Sequence, residues 1–218
     1  MSETESFTWL ITGTSRGIGL EFVRQLVASP ANTVFAACRK PDSADALKTL
    51  GESAKGNLHI VPLDLSDFPS VTAAAEVVQG ILGDRGLDYL INSAAITNIA
   101  GPAFVSQIYL PLLEKGKRKV IMNLTSGIGS IGLDYGDKNA SYCISKTGLN
   151  MLTYKQAKER PDLIAFVVDP GWVKTDMGGE GAVLEPHESI GGLLKLITNA
   201  TPESSGKFFR YNGEVLPW

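Results

Sequence analysis

Short apolar runs alternate with longer amphipathic stretches along this chain. Seven runs rich in strand formers stand at Thr8–Thr12, Thr33–Cys38, His59–Leu63, Asp88–Asn92, Lys119–Leu124, Ile164–Val168 and Lys207–Phe209. Runs of this length with little polar alternation suit strands buried on both faces, as in a parallel sheet. Between them, apolar residues recur at three and four positions. Ile18, Phe22, Val23, Leu26 and Val27 make one such stripe, and Val71, Ala74, Ala75, Val78, Ile81 and Leu82 a second. Phe104, Val105, Ile108, Tyr109 and Leu112 make a third, and Ile144, Gly148, Met151 and Leu152, with Lys155 at the polar edge, a fourth. Strands alternating with helices predict βαβ units in a doubly wound, parallel α/β fold of Rossmann type, with helices on both faces of the sheet.

Composition narrows the class. With 218 residues, 44% of them hydrophobic and 20% charged, the chain suits one globular domain spanning residues 1–218. The formal net charge of −3 leaves no basic surplus for a phosphate backbone, so no nucleic-acid partner is expected. Two Cys and two His supply neither a four-ligand zinc site nor a disulfide framework, and no metal is expected. The start, Met1-Ser2-Glu3-Thr4-Glu5-Ser6, lacks the basic and apolar segments of a signal peptide, and no run is long enough to span a bilayer. A cytoplasmic protein without membrane contact is the expectation.

The first strand runs into Thr12-Gly13-Thr14-Ser15-Arg16-Gly17-Ile18-Gly19. Glycines between a buried strand and a helix let the backbone turn sharply and approach a pyrophosphate, which the helix N-terminus then receives with free N–H groups. An ordinary glycine-rich turn is the plainer alternative, but strand, loop and helix fall in the required order. The residue that distinguishes the two nicotinamide dinucleotides lies about 20 positions on, at the end of the second strand. A carboxylate there would accept from a ribose 2′-hydroxyl; this chain has Cys38-Arg39-Lys40 instead. Arg39 and Arg16 could grip a 2′-phosphate with forked hydrogen bonds, favouring NADPH/NADP+ over NADH, unless Arg39 and Lys40 are only a solvated loop. Asp64, just after the third strand, is either a helix cap or an acceptor for an adenine amino group.

Ser141-Tyr142-Cys143-Ile144-Ser145-Lys146 carries the candidate chemistry. Tyr142 and Lys146 are four apart and share a helix face. A nearby ammonium is expected to lower the phenol pKa and fit it for proton transfer. Ser126 follows the fifth strand, at the strand end where ligands gather in doubly wound sheets, so it can orient a carbonyl oxygen or simply cap a turn. Cys143 and Cys38 read as small buried hydrophobes, and His59 and His187 carry no assignment.

These residues, with Asp64-Leu65, Asn92-Ser93-Ala94-Ala95 and Asp169-Pro170-Gly171-Trp172-Val173-Lys174-Thr175-Asp176-Met177, resemble the short-chain dehydrogenase/reductase family across nearly the whole chain and in family order. The ending from Ser205 to Trp218 is similar to a carbonyl reductase subgroup whose fungal members include norsolorinic acid ketoreductase. The resemblance implies an NADPH-dependent reduction of a small ketone or aldehyde. Tyr142 would protonate the carbonyl oxygen, Lys146 would tune it and hold the nicotinamide ribose, and Ser126 would orient the carbonyl. It assigns cofactor contacts to Gly13, Ser15, Arg16, Gly17, Ile18 and Gly19, to Arg39, Asp64 and Leu65, to Asn92 and Ala94, to Tyr142 and Lys146, and to Pro170, Gly171, Val173 and Thr175.

One departure stands out. After Ala95-Ile96 the family passes through a loop and half a helix before a fourth catalytic residue, an Asn. Here Thr97-Asn98-Ile99-Ala100-Gly101-Pro102 follows at once, so Asn98 takes that role while roughly two dozen residues are missing, although a parallel crossover needs only a dozen or more. A helix starting near Pro102 is expected. It predicts a looser Asn98, a weakened homo-oligomer and reduced turnover. The alternative function is a catalytically weak or inactive dinucleotide-binding protein with a regulatory role.

Overall fold

The structure, a computed structural model, describes residues 5–94, 100–137 and 139–218. All seven expected strands form, each within about two residues of its apolar run. The chain is a parallel α/β protein of the doubly wound type, and it divides into two compact units: residues 1–94 with 104–119, and residues 95–103 with 120–218.

In the first unit β1 (Phe7–Thr12) lies between β2 (Asn32–Cys38) and β4 (Tyr89–Asn92), with β3 (Asn57–Pro62) outside β2, all parallel. The order 3-2-1-4 makes β1 the point where the winding reverses, and such points gather ligands at the strands' carboxyl ends. Helices α1 (Gly17–Leu26), α2 (Asp45–Ser53) and α3 (Phe68–Leu82) follow the first three strands. Phe22, Val23 and Leu26 of α1, and Val71, Ala74, Val78 and Leu82 of α3, are buried, as their spacing requires. Trp9 stacks on Tyr89 with ring centroids 3.8 Å apart and donates its indole N–H to Asn32 at 3.1 Å.

The excursion that leaves β4 is pinned at both ends. At its departure the Thr12 hydroxyl oxygen accepts from the amides of Ser93 (3.1 Å) and Ala94 (3.2 Å). At its return the buried Asp88 carboxylate accepts from the amides of Lys117 (2.7 Å) and Arg118 (3.3 Å), and from the amide (2.9 Å) and hydroxyl (3.0 Å) of Thr8. Between these anchors run α4 (Ala100–Ile108) and α5 (Leu110–Lys115). The helix starts two residues before Pro102, so that proline does not open it. Tyr109 interrupts the run, and Pro111 opens α5 at a position that needs no amide donor. Val105, Tyr109, Leu112 and Leu113 are buried, in keeping with the expected stripe.

In the second unit β5 (Val120–Leu124), β6 (Ile164–Asp169) and β7 (Phe208–Arg210) are parallel in that order, with α6 (Ala140–Glu159) and α7 (Pro186–Thr198). The expected stripe on α6 proves to be on the wrong face. Ile144 and Met151 are exposed, whereas Ser145, Lys146, Leu149, Asn150 and Thr153 are buried. The inward polar groups have partners: Asn123 of β5 donates to the Thr153 hydroxyl at 2.7 Å, and Asn150 donates to the Gly129 carbonyl at 3.1 Å. These bonds offset part of the cost of burial, although the Asn150 Oδ1 is buried without a hydrogen-bond partner among the described residues. No helix among the described residues is long and apolar enough to cross a membrane.

Candidate active site

In the first unit the turn after β1 is fixed by close backbone packing. The amides of Gly13 (2.9 Å) and Thr14 (3.1 Å) and the Thr14 hydroxyl (3.1 Å) all donate to the Ala37 carbonyl, two residues before Arg39. Gly13 has φ +75°, and a Cβ there would stand 2.6 Å from the Ala94 Cα. At Gly19 a Cβ would stand 2.3 Å from the Gly13 carbonyl oxygen. Only glycine fits either position, so α1 begins hard against the turn and its first amides face the space above it. Arg16, at the helix N-cap, uses no side-chain cap and is exposed with Ser15, while Gly17 and Ile18 open the helix. A cradle built this way fits a dinucleotide pyrophosphate.

Arg39 is exposed directly after β2, and Lys40 beside it is exposed as well. Asp64 is engaged in its own turn, where its carboxylate accepts from the amide (2.9 Å) and hydroxyl (2.6 Å) of Ser66. Those bonds, with Arg39 as a further cation, hold its carboxyl below the usual range. The cap of α3 is Asp67, so Asp64 is not the helix cap. Leu65 is buried beside it. Asn92, at the end of β4, is buried and donates to the Ser106 hydroxyl at 3.3 Å, while Ala94 is the residue against which Gly13 packs.

In the second unit Ser126 caps a short 3-10 turn, Gly127–Gly129, its hydroxyl oxygen accepting from the Ile128 amide at 3.4 Å. Lys146, nearly buried on α6, donates from Nζ to the Leu124 carbonyl at 3.0 Å and lies 5.6 Å from the centre of the Tyr142 ring. Gly129 allows this closeness, since a Cβ there would stand 2.7 Å from the Lys146 Cβ. Burial pulls the Lys146 ammonium down to about 8. The expectation that this ammonium lowers Tyr142 is overturned: burial, with Asp169 and Cys143 as further causes, holds the phenol above its ordinary value. One Lys146 N–H donates to the strand carbonyl, and Lys146 is not among the groups that move the phenol.

The chain after β6 makes a second tight turn. Gly171 has φ +78° and its amide donates to Asp169 at 3.1 Å, while the Pro170 carbonyl accepts from the Ser189 hydroxyl at 2.6 Å. Val173 bridges Leu184, and the Thr175 hydroxyl oxygen accepts from the Gly178 amide at 3.1 Å. Trp172 and Met177 are exposed on this segment.

Asn98 lies outside the described residues. Sequence reasoning left Asp169, Arg210 and Tyr135 without a role, although Asp169 and Tyr135 flank Gly127 and Arg210 contacts both of them. A Cβ on Gly127 would stand 2.9 Å from the Tyr135 hydroxyl and 3.1 Å from Asp169 Oδ2. An acidic residue closing a buried strand was the available signal. Cys38 is buried, as expected, whereas Cys143 is only half-buried.

A family model described as short chain dehydrogenase matches residues 8–182. An uncharacterised oxidoreductase of Schizosaccharomyces pombe is 31% identical over 255 aligned positions that cover all of both chains. Since this chain has 218 residues, at least 37 of those positions face no residue here. The NADPH-bound carbonyl reductase from chicken fatty liver superposes with a TM-score of 0.92 at 35% identity, covering 100% of this chain and 96% of that one. The carbonyl reductase Sniffer of D. melanogaster gives 0.92 at 28% identity, covering 98% and 100%.

Proposed function

The chain belongs to the short-chain dehydrogenase family, and from that premise we propose that it is an NADP(H)-dependent oxidoreductase reducing a small ketone or aldehyde to the alcohol, with Tyr142 as proton donor. In this reading residues 1–218 act as one dinucleotide-binding domain in the cytoplasm. The observation that carries most weight is the glycine cradle at Gly13 and Gly19, followed at the end of β2 by Arg39 where a carboxylate would repel a 2′-phosphate. The NADPH-bound chicken enzyme and an NADP complex of a Pseudomonas aeruginosa carbonyl reductase, 27% identical, stand among the similar structures and support the choice of cofactor.

Gly13, Ser15, Arg16, Gly17, Ile18 and Gly19 would hold the pyrophosphate, Arg39 with Arg16 the 2′-phosphate, and Asp64, Leu65, Asn92 and Ala94 the adenosine side. Pro170, Gly171, Val173 and Thr175, with Lys146, would hold the nicotinamide end. When bound, NADPH supplies the hydride. Ser126 keeps its hydroxyl hydrogen for the substrate carbonyl, because the bond to Ile128 uses only the oxygen. The Tyr142 O–H gives its proton to the carbonyl oxygen as negative charge develops there, and solvent later restores it. A phenol held above its ordinary pKa remains in the donor form at neutral pH, which suits reduction.

Tyr142→Phe tests the donor role, since it removes only the hydroxyl. Turnover should fall by about 10²–10⁴-fold, with the NADPH dissociation constant nearly unchanged; wild-type turnover in this variant would remove Tyr142 from the mechanism. A second reading, a catalytically weak dinucleotide-binding protein, draws on the shortening after Ala95-Ile96 inferred from the sequence. Fluorescence titration with NADPH, then NADPH oxidation over quinones, aldehydes and aromatic ketones, separates the two: binding without oxidation favours the second.

A further inference from the structure

Between the Ser126 turn and α6 runs a stretch with little regular structure. Of residues 131–137 only Leu133 is half-buried, and the others are exposed. Exposed loops of this kind open at little cost in free energy, yet this one is tied down next to Ser126. The Ser126 carbonyl accepts from the Gly129 amide at 2.9 Å, and the Gly127 carbonyl from the Ser130 amide at 3.0 Å. Ser130, at the exit of that turn, donates its hydroxyl to the Pro217 carbonyl at 2.7 Å, and the same hydroxyl oxygen accepts from the Leu133 amide at 3.1 Å. Two residues on, the Gly132 amide donates to the Trp218 carbonyl at 2.7 Å. The two segments are packed as closely as they are bonded. A Cβ on Gly132 would stand 2.9 Å from the Pro217 Cβ and 3.2 Å from both the Pro217 Cγ and the Trp218 oxygen.

The partner segment Leu216–Trp218 is itself anchored. The Leu216 amide donates to the Phe208 carbonyl at 2.7 Å, and Leu216 packs with Val167, Phe208 and Leu133. The Trp218 ring centre lies 5.9 Å from that of Phe208 on β7 and 6.0 Å from that of Tyr154 on α6. Leu216–Trp218 therefore joins β7, α6 and the stretch behind Ser126. We infer that Pro217 and Trp218 are positioning residues for Ser126: their carbonyls, through the Ser130 hydroxyl and the Gly132 amide, hold the exit of the Ser126 turn and so keep the Ser126 hydroxyl directed at the substrate carbonyl. This rests on the reading of Ser126 as the group that orients that carbonyl, and adds what keeps it in place. The middle of the turn is tied separately, since the Gly129 carbonyl accepts from Thr147 at 2.9 Å and from Asn150 at 3.1 Å, both on α6. With the middle held by α6 and the exit by Pro217 and Trp218, the turn has no slack. An orienting group misplaced by about 1 Å can lower the rate about 10²-fold.

Two variants loosen this junction in different ways. Ser130→Ala deletes the donor to Pro217 and leaves every backbone amide in place. Gly132→Ala wedges a methyl group between the segments; Gly132 has no left-handed φ, so the methyl acts by contact alone. Adding Pro217→Gly to Gly132→Ala removes the atom the methyl strikes first and keeps the carbonyl. In each single variant the amides of residues 129 and 130 should exchange with solvent about tenfold faster by NMR, as expected when one hydrogen bond of ordinary strength is lost. Those of Ile121 and Met122 on β5 should keep their rates. With 4-nitrobenzaldehyde as substrate, kcat should fall about tenfold or more, with the NADPH dissociation constant unchanged. The double variant should move both readings back toward the parent. A general loss of stability would quicken β5 as well, and Pro217→Gly would not mend it. Unchanged exchange at residues 129 and 130 in both single variants, faster exchange with kcat intact, or a double variant no better than Gly132→Ala overturns the inference. If Gly132→Ala loses its cooperative melt, Ser130→Ala decides alone by the same readings. A parent chain that reduces neither this aldehyde nor the other carbonyls would sink the reductase reading instead, and exchange at residues 129 and 130 would then decide whether Pro217 and Trp218 hold the turn.

Discussion

Gly13→Ala is the sharpest probe of the cofactor cradle. Two separate penalties apply to the new methyl group. The backbone at Gly13 has φ +75°, a left-handed setting that costs an L-residue about 1–2 kcal/mol. The Cβ would also stand 2.6 Å from the Ala94 Cα, 2.9 Å from its Cβ and 3.0 Å from its amide nitrogen. Ala94 cannot move away cheaply, because the Thr12 hydroxyl holds its amide at 3.2 Å and that of Ser93 at 3.1 Å. Overpacking against such a wall typically costs about 1–3 kcal/mol. The total, about 2–5 kcal/mol, should lower Tm by on the order of 10 °C for a chain of this length. The displaced turn should also weaken NADPH binding at least about tenfold, the equivalent of roughly 1.4 kcal/mol. Thermal melting by circular dichroism and fluorescence titration with NADPH read the two effects separately. Adding Ala94→Gly to Gly13→Ala should recover only a minor part of the loss, because the nearest atom is the Ala94 Cα, which that change leaves in place. A Gly13→Ala chain that melts with its parent, or a double variant restored in full, would refute the packing argument.

Arg39→Asp should weaken NADPH and strengthen NADH, so that the ratio of their dissociation constants inverts; an unchanged ratio would mean that Arg39 does not meet the 2′-phosphate. Lys146 has an ordinary ammonium value of 10.5, and burial pulls it to about 8 in the folded chain. Between those values the unfolded chain holds a proton that the folded chain has shed, so stability from this residue rises with pH through that window, by at most about 3 kcal/mol. Lys146→Met should lack this rise, and chemical denaturation of both chains across the window checks it: a constant difference between them would mean that the ammonium is not desolvated.

The strands were legible because each is buried on both sides and therefore reads as an unbroken apolar run. The glycine turn was legible because backbone constraints leave glycine no substitute. Helix α2 was not, since only Leu47 of its nine residues is buried and no stripe arises. Helix α7 was missed as well, its stripe interrupted by Gly191-Gly192. On α6 the apolar spacing pointed to the solvent face, because the inward face carries Lys146, Asn150 and Thr153, whose partners on β5 and the following turn come from elsewhere in the chain. The Asp169 cluster depended on contacts among residues 75 positions apart, such as Tyr135 and Arg210, which no local pattern announces.

The anchors of the excursion after β4 bear on how such a chain can change over generations. Thr12 fixes where the backbone departs and Asp88 fixes where it returns, and neither bond depends on how many residues lie between. Insertions and deletions there leave the register of β1 against β4 untouched, so selection sees only what the altered segment does. That makes the stretch ahead of the buried Val105, Tyr109, Leu112 and Leu113 a cassette: lineages can lengthen it, shorten it or exchange it, and an engineer can graft a foreign loop between Ala94 and Phe104 while the nucleotide cradle is inherited unchanged.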